Sequence, residues 1–221
     1  FEIDSERNIW VGTGGKGIVM FYNDWFSKFN EFEKNEFVSI YSKESVAYLG
    51  IQNTLYKVTN HNRKLDVIFL DSLLFKVKDI CVDESERVWC ATEGGLEVFP
   101  SVNNGQINLL LSELRGKHIS DLNKSGTNLW VSTIGFGIYK VNLNDFSFTQ
   151  ITTMNGMLHN DIYYSYTDSY DNTWFATHDS KISLMDKYNN IKVIGLPSNV
   201  HGISINSIVE TKDKSIWIAT S

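Results

Sequence analysis

Three histidines stand at comparable places along this chain: His118 in RGKHIS, His159 in GMLHND and His201 in NVHGIS. With Asp121 and Asp161 nearby in sequence, they are the residues best suited to acid–base work, and three imidazoles are also a familiar metal-ligand set. Their positions speak against both chemistries. They fall 12, 15 and 16 residues before Trp130, Trp174 and Trp217, so they share no register, and solvated loop histidines are the expected outcome. Residues 12 to 17, GTGGKG, satisfy the spacing of a nucleotide-binding loop. That loop requires a helix behind it to face the pyrophosphate, whereas the GIVMFYN that follows reads as a strand. The acidic turns DSERN, DESER and DSYDN lack the alternating oxygens and terminal Glu of a calcium loop, and are better read as Asx-turns closing hairpins. Cys81 and Cys90 flank one such turn; a hairpin places them roughly opposite each other, so a disulfide is geometrically open, although two small buried apolar side chains are the favoured reading. No catalytic residue, metal or cofactor is expected.

The elements that carry these residues follow from an internal repeat. ERNIWVGTGGKGI, ERVWCATEGGLEV, TNLWVSTIGFGIY, DNTWFATHDSKIS and KSIWIATS are one motif, centred on Trp10, Trp89, Trp130, Trp174 and Trp217, with Tyr48 filling the remaining gap. The spacings are 38, 41, 41, 44 and 43 residues. Two places after each aromatic stands a small residue (Gly12, Gly50, Ala91, Ser132, Ala176, Ala219), followed by Thr in every case but Ile51. A period near 40 fits paired helices or a four-stranded blade. The intervening segments are short, β-branched and aromatic, with no sustained helical apolar period, so the expected fold is all-β: a β-propeller of four-stranded blades. The chain opens in a first strand and closes after a second, giving an incomplete run of about five and a half blades over 1–221, truncated at both ends. Seven blades at this period would need roughly 290 residues, so a longer native chain is expected.

Blades stacked face to face bury their central strands on both sides, as the continuous apolar runs Ile9–Val11, Val88–Ala91 and Ile216–Ala219 require. The Trp column is therefore core, and the small residue beside it lets neighbouring sheets interdigitate. On the innermost strand, the positions between buried residues are mostly polar: Ser39, Lys78, Asp79, Ser120, Asp121, Tyr163, Tyr164, Asn206 and Ser207. These would ring the entrance of an axial funnel, where hydroxyls, carboxylates and tyrosines suit a sugar. The candidate ligand contacts are Ser39, Asp79, Asp121, Tyr163, Tyr164 and Asn206, with His118, His159 and His201 at the same mouth. A solvated channel is the alternative.

Hydrophobic residues at 42% and charged residues at 21% describe a folding chain rather than a disordered one. The net charge of -6 disfavours a nucleic-acid partner.

The Asp six residues before the Trp (Asp4, Asp83, Asp168), the W-x-small-Thr core and the glycines Gly14, Gly15, Gly94, Gly95, Gly135 and Gly137 resemble the two-component regulator propeller repeat. The likeness spans essentially the whole chain and is weakest around Tyr48. The resemblance implies the periplasmic sensor of a hybrid two-component system in a membrane-anchored parent, responding to glycan-derived ligands. It further implies an immunoglobulin-like connector after the remaining blades, histidine kinase activity elsewhere in the parent, and a homodimer as a plausible state. It transfers fold and no ligand-binding residue. Two other classes remain open, a propeller lyase or hydrolase acting on polysaccharide and a protein-interaction scaffold.

Overall fold

The computed structural model describes residues 2–3, 7, 9–12, 14–22, 25–43, 46–61, 64–100, 105–177, 181–195 and 205–220. They form two compact units, 1–101 and 102–221. In the first unit, β1 (Glu2–Ile3), β2 (Ile9–Gly12), β3 (Gly14–Tyr22), β4 (Trp25–Lys43), β5 (Val46–Ile51), β6 (Thr54–His61) and β7 (Lys64–Ser72) pair in sequence order as one seven-stranded sheet. The sheet is two blades fused through β4, whose first part pairs with β3 and whose last residues, Phe37–Lys43, pair with β5. Gly14–Tyr22 being a strand, nothing behind the GTGGKG run could cradle a phosphate. A separate sheet follows in the order β10 (Gly95–Phe99), β9 (Val88–Thr92), β8 (Val77–Val82).

The second unit opens with helix α1 (Gly105–Leu114). Two four-stranded antiparallel meanders come next: β11 (Ile119–Ser125), β12 (Asn128–Thr133), β13 (Ile138–Asn142), β14 (Phe148–Ile151), then β15 (Tyr164–Thr167), β16 (Thr173–Ala176), β17 (Lys181–Met185), β18 (Ile191–Gly195). The hairpin β19 (Ile205–Glu210) and β20 (Ile216–Thr220) ends the described chain.

Helix α1 corrects the expectation of four strands in every repeat. The Trp89 sheet has three described strands, and the chain then turns helical. Its sequence does carry a helical period: Ile107, Leu110 and Leu114 are buried at i, i+3 and i+7 while Leu109 stays exposed.

The central strands are buried on both faces, as their unbroken apolar runs require. Tyr48, Trp89 and Trp130 are 6%, 0% and 4% exposed. Trp174 is half-buried beneath Ile205, Ile208, Ile216 and Ile218 of the terminal hairpin. Trp217, in the same motif, is 66% exposed, which corrects its assignment to the core. The cause is coverage: among the described residues no further sheet packs on its outer face. The side chain of Trp10 lies outside the described residues, as do Asp4 and His201.

The small residue after the aromatic is explained by Gly50. A Cβ there would lie 2.6 Å from Val77 Cγ1 and 3.2 Å from Ile80 Cδ1, so the first strand of the next blade leans directly on this backbone.

The acidic column closes turns and also holds the tryptophans. Asp83 Oδ1 accepts the amide N–H groups of Ser85 (2.8 Å) and Arg87 (3.0 Å), while Oδ2 accepts the Trp89 indole N–H at 2.8 Å. Asp168 repeats this with Tyr170, Asn172 and the Trp174 indole, each at 2.9 Å. The six-residue spacing is thus the reach from an Asx-turn back to the indole of the paired strand. Burial works to raise the Asp168 pKa, but the bonds from Trp174, Asn172 and Tyr170 outweigh it and leave the carboxyl below the usual carboxylate range. A depressed folded-state pKa contributes stability that is present above the unfolded value of about 4 and disappears as pH falls through the folded one. Asp168→Asn is therefore expected to lower the melting temperature most at neutral pH, with the gap to the parent closing below about pH 4. Melting curves from pH 7 to pH 2.5 test this, and a gap that persists in acid would locate the effect elsewhere.

Cys81 and Cys90 are free and buried. In the register, Cys81 faces Trp89 and Cys90 faces Ile80, so the two thiols point to opposite faces of the sheet. That overturns their expected opposition across the hairpin and excludes a bond between them. Burial, reinforced by nearby carboxylates, raises the Cys90 thiol well above its ordinary value, so it stays protonated and inert.

Candidate functional site

On four of the first strands the polar positions are set by a backbone irregularity. Register shifts fall between Phe37 and Ser39, Val77 and Asp79, Ile119 and Asp121, and Ile205 and Ser207. Each shift leaves one extra residue and sets the next, Ser39, Asp79, Asp121 or Ser207, opposite the small residue of the second strand: Gly50, Ala91, Ser132 or Ala219. Tyr164 takes the same place opposite Ala176.

Three of the expected ligand contacts are engaged between blades. Ser39 Oγ donates to Asp79 Oδ1 at 3.1 Å, linking the Tyr48 and Trp89 blades, and Asp79 also accepts the Ile80 amide at 2.8 Å. Asp121, only 6% exposed, accepts from Ser165 N–H at 2.9 Å and Ser165 Oγ at 2.7 Å, linking the Trp130 and Trp174 blades. Ser132 Oγ lies between them, 3.4 Å from Asp121 and 3.2 Å from Ser165. A buried carboxylate so engaged holds sheets together at a fixed spacing. Asp121→Ala should leave the Ser165 hydroxyl and amide unpaired, costing about 2–3 kcal/mol. Thermal unfolding of this variant, of Ser165→Ala and of the double variant measures the coupling directly; an Asp121→Ala protein that melts like the parent would free this residue for ligand.

The candidates open to solvent gather in the second unit around the turn 134–137. The His118 carbonyl accepts the Ile134 N–H, and the Asn160 carbonyl accepts those of Gly135 and Gly137 at 3.1 and 2.8 Å. Both histidine-bearing loops therefore dock by backbone onto one turn. Gly137 is required in that turn for its own reasons: its φ is +76°, and a Cβ would sit 2.2 Å from the Ile151 carbonyl oxygen of β14. Ser120 Oγ donates to the Ile162 carbonyl, tying the next strand's entry to the same place.

At the rim Tyr163 is 38% exposed, and its phenol is raised by burial and then by the Asp161 charge. Asn206 is exposed, on the terminal hairpin. Two rim residues were missed by sequence reading. Phe136 is exposed with the Lys117 ammonium 5.1 Å from its ring centroid, and Lys117 also pairs with Glu113, which accepts from Tyr139 Oη at 3.0 Å. The aromatic residue held between two glycines in TIGFGIY is the signal that could have found Phe136. Exposed rings beside hydroxyls, a carboxylate and backbone carbonyls form a surface that can stack on and hydrogen-bond a sugar. Among the described residues no three His, Cys, Asp or Glu side chains converge on a metal site.

No protein-family model and no curated protein matches this sequence. Solved structures do. Over 99% of its length the chain superposes, at TM-score 0.72 and 19% identity, on the extracellular domain assigned to hybrid two component system BT3049 from B. thetaiotaomicron. The extracellular domain assigned to hybrid two component system BT4673 from the same organism matches 99% of the chain at TM-score 0.62 and 15% identity. Streptogramin B lyase matches 99% at TM-score 0.72 and 15% identity. The fold is a β-propeller fold. The chain spans 32% and 40% of the two extracellular domains and 74% of the lyase. At these identities the similarity establishes the blades, while the residues at the rim belong to this chain. Among the described residues no helix is long and apolar enough to cross a membrane.

Proposed function

We propose that this chain is part of the extracytoplasmic, periplasmic sensor of a hybrid two-component system, detecting a glycan-derived ligand and relaying its binding to a histidine kinase. The observation that carries the reading is the match along 99% of the chain to the extracellular domain of BT3049, supported by the second match to that of BT4673. The resemblance of the repeat motif to two-component regulator propellers points the same way. In this reading the parent is anchored in the inner membrane, an immunoglobulin-like connector follows the remaining blades, and pairing of sensors provides a homodimer. Signalling requires a ligand with different affinity for two arrangements of the sensor, since only differential binding moves an equilibrium.

The test is a thermal-shift screen of the whole extracytoplasmic region, with this chain alongside, against neutral and acidic oligosaccharides. A hit on both supports the reading with a site on these blades, and a hit on the whole alone makes these blades scaffold. Silence on both overturns glycan sensing and favours a protein-interaction role.

The similarity to streptogramin B lyase favours a second reading, a propeller lyase or hydrolase acting on polysaccharide, with His118, His159 and Asp161 at the rim as its acid–base groups. Polysaccharide cleavage that disappears in His159→Ala would establish it and displace the first.

A further inference from the structure

The tryptophans of the repeat are not all held alike. Trp89 and Trp174 each give their indole N–H to a carboxylate, whereas the indole N–H of Trp130, only 4% exposed, meets no acceptor among the described residues. The difference lies in the turn. In the Trp89 and Trp174 blades the tryptophan pairs with Cys81 or Tyr166, and the clamping Asp stands two residues further on. Trp130 pairs with Asn123, so the corresponding residue is Ser125, and its turn contains only Gly126 and Thr127. A serine hydroxyl is too short to cross to the indole.

The space left by the missing carboxylate is open. A cleft of about 340 Å³ lies there between the Trp130 and Trp174 blades, lined by Ser125, Thr127, Asn128, Trp130, Lys140 and Asn189, among others. That is the volume of a small-molecule site. The Lys140 ammonium sits 5.0 Å from the Trp130 ring centroid and 3.4 Å from Asn189 Oδ1, and among the described residues no carboxylate pairs with it. Lys187, Asp171 and Asp186 also border the cleft. Asp186 is turned onto its own loop, accepting from the Tyr188 and Asn190 amides and the Asn190 side chain, and Asp171 is exposed. The Trp130 end therefore offers an unengaged N–H and a cation, and the remaining wall offers hydroxyls and amides.

We infer that this cleft binds a small hydroxylated carboxylate, whose carboxylate stands beside the Trp130 indole and Lys140 as Asp83 and Asp168 stand beside Trp89 and Trp174. The anion receives charge-assisted bonds from both donors, and the hydroxyls meet Thr127, Asn128 and Asn189. The site rests on this chain's residues alone and holds or fails independently of the sensory reading.

The test uses the indole N–H resonances of the six tryptophans, with Trp130 assigned through Trp130→Phe. Glucuronate, galacturonate and gluconate are titrated against glucose, galactose and sorbitol. The expected result is a saturable shift of the Trp130 resonance with at least one acid and none with the neutral compounds. Lys140→Gln should weaken that binding at least fivefold. Ser125→Asp supplies the carboxylate internally, so it should abolish the response while melting no lower than the parent. No shift with any acid, equal shifts with acids and neutral compounds, or undiminished binding in a folded Ser125→Asp protein would overturn the proposal.

Discussion

Replacing Trp89 by alanine is expected to cost about 4 kcal/mol, the largest loss expected of a single substitution among the described residues. The side chain is 0% exposed, lies in a strand with all five residues buried, and has its indole N–H fixed by Asp83. Truncation removes the largest fully buried side chain among the described residues and opens a cavity that stacked sheets cannot close without moving whole strands. At roughly 2–4 °C per kcal/mol for a chain of this size, the midpoint should fall by about 8–16 °C. Trp217→Ala is the internal control. It occupies the same motif position but is 66% exposed, so its truncation should stay within about 0.5 kcal/mol. Thermal or urea unfolding of the two variants side by side separates coverage by a neighbouring sheet from the intrinsic contribution of the motif. Equal losses would mean that the tryptophan stabilises its own hairpin and not the stacking.

The contrast between these tryptophans also shows what sequence can and cannot disclose. Strand content, repeat length and the two-sided burial of Tyr48, Trp89 and Trp130 were legible because each depends on local pattern repeated many times. The exposure of Trp217 was not, since burial depends on what covers a face, and a motif carries no information about its neighbour. Helix α1 was overlooked because Ile107, Leu110 and Leu114 make one short period inside a chain of strands. The rim was half legible. Polar residues at the start of the first strands were found, yet the register shift that sets Asp121 facing Ser165 arises from pairing geometry that spacing does not encode. Counting and pairing part company at Trp130. Six residues before it stands Lys124, the place of the acidic column by number, but the shorter turn gives Ser125 that place in space. The open cleft follows from that one-residue difference.

Asp83→Ala should be the second-largest loss, about 3 kcal/mol, and the pattern across its variants distinguishes a clamp from an ordinary turn residue. The carboxylate is 1% exposed and serves four donors: the Ser85 and Arg87 amides, the Arg87 guanidinium and the Trp89 indole. Its removal takes the carboxylate from the indole N–H in the core and from a mostly buried arginine. In a simple Asx-turn asparagine replaces aspartate with little loss, because one side-chain oxygen still accepts the turn amides. Here the second oxygen faces two further donors. Asn would present its own N–H₂ to the indole and the guanidinium, setting donors against donors, so Asp83→Asn should cost about 2 kcal/mol rather than a few tenths. Trp89→Phe deletes the indole N–H while keeping an aromatic in place. In that background Asp83→Asn should cost about 1 kcal/mol less, a coupling readable by a double-mutant cycle in urea unfolding. A coupling near zero would reduce Asp83 to a turn former. A clear one would establish that each acidic turn is built to hold the tryptophan it precedes, and that the Trp130 blade alone among the three leaves that hold unmade.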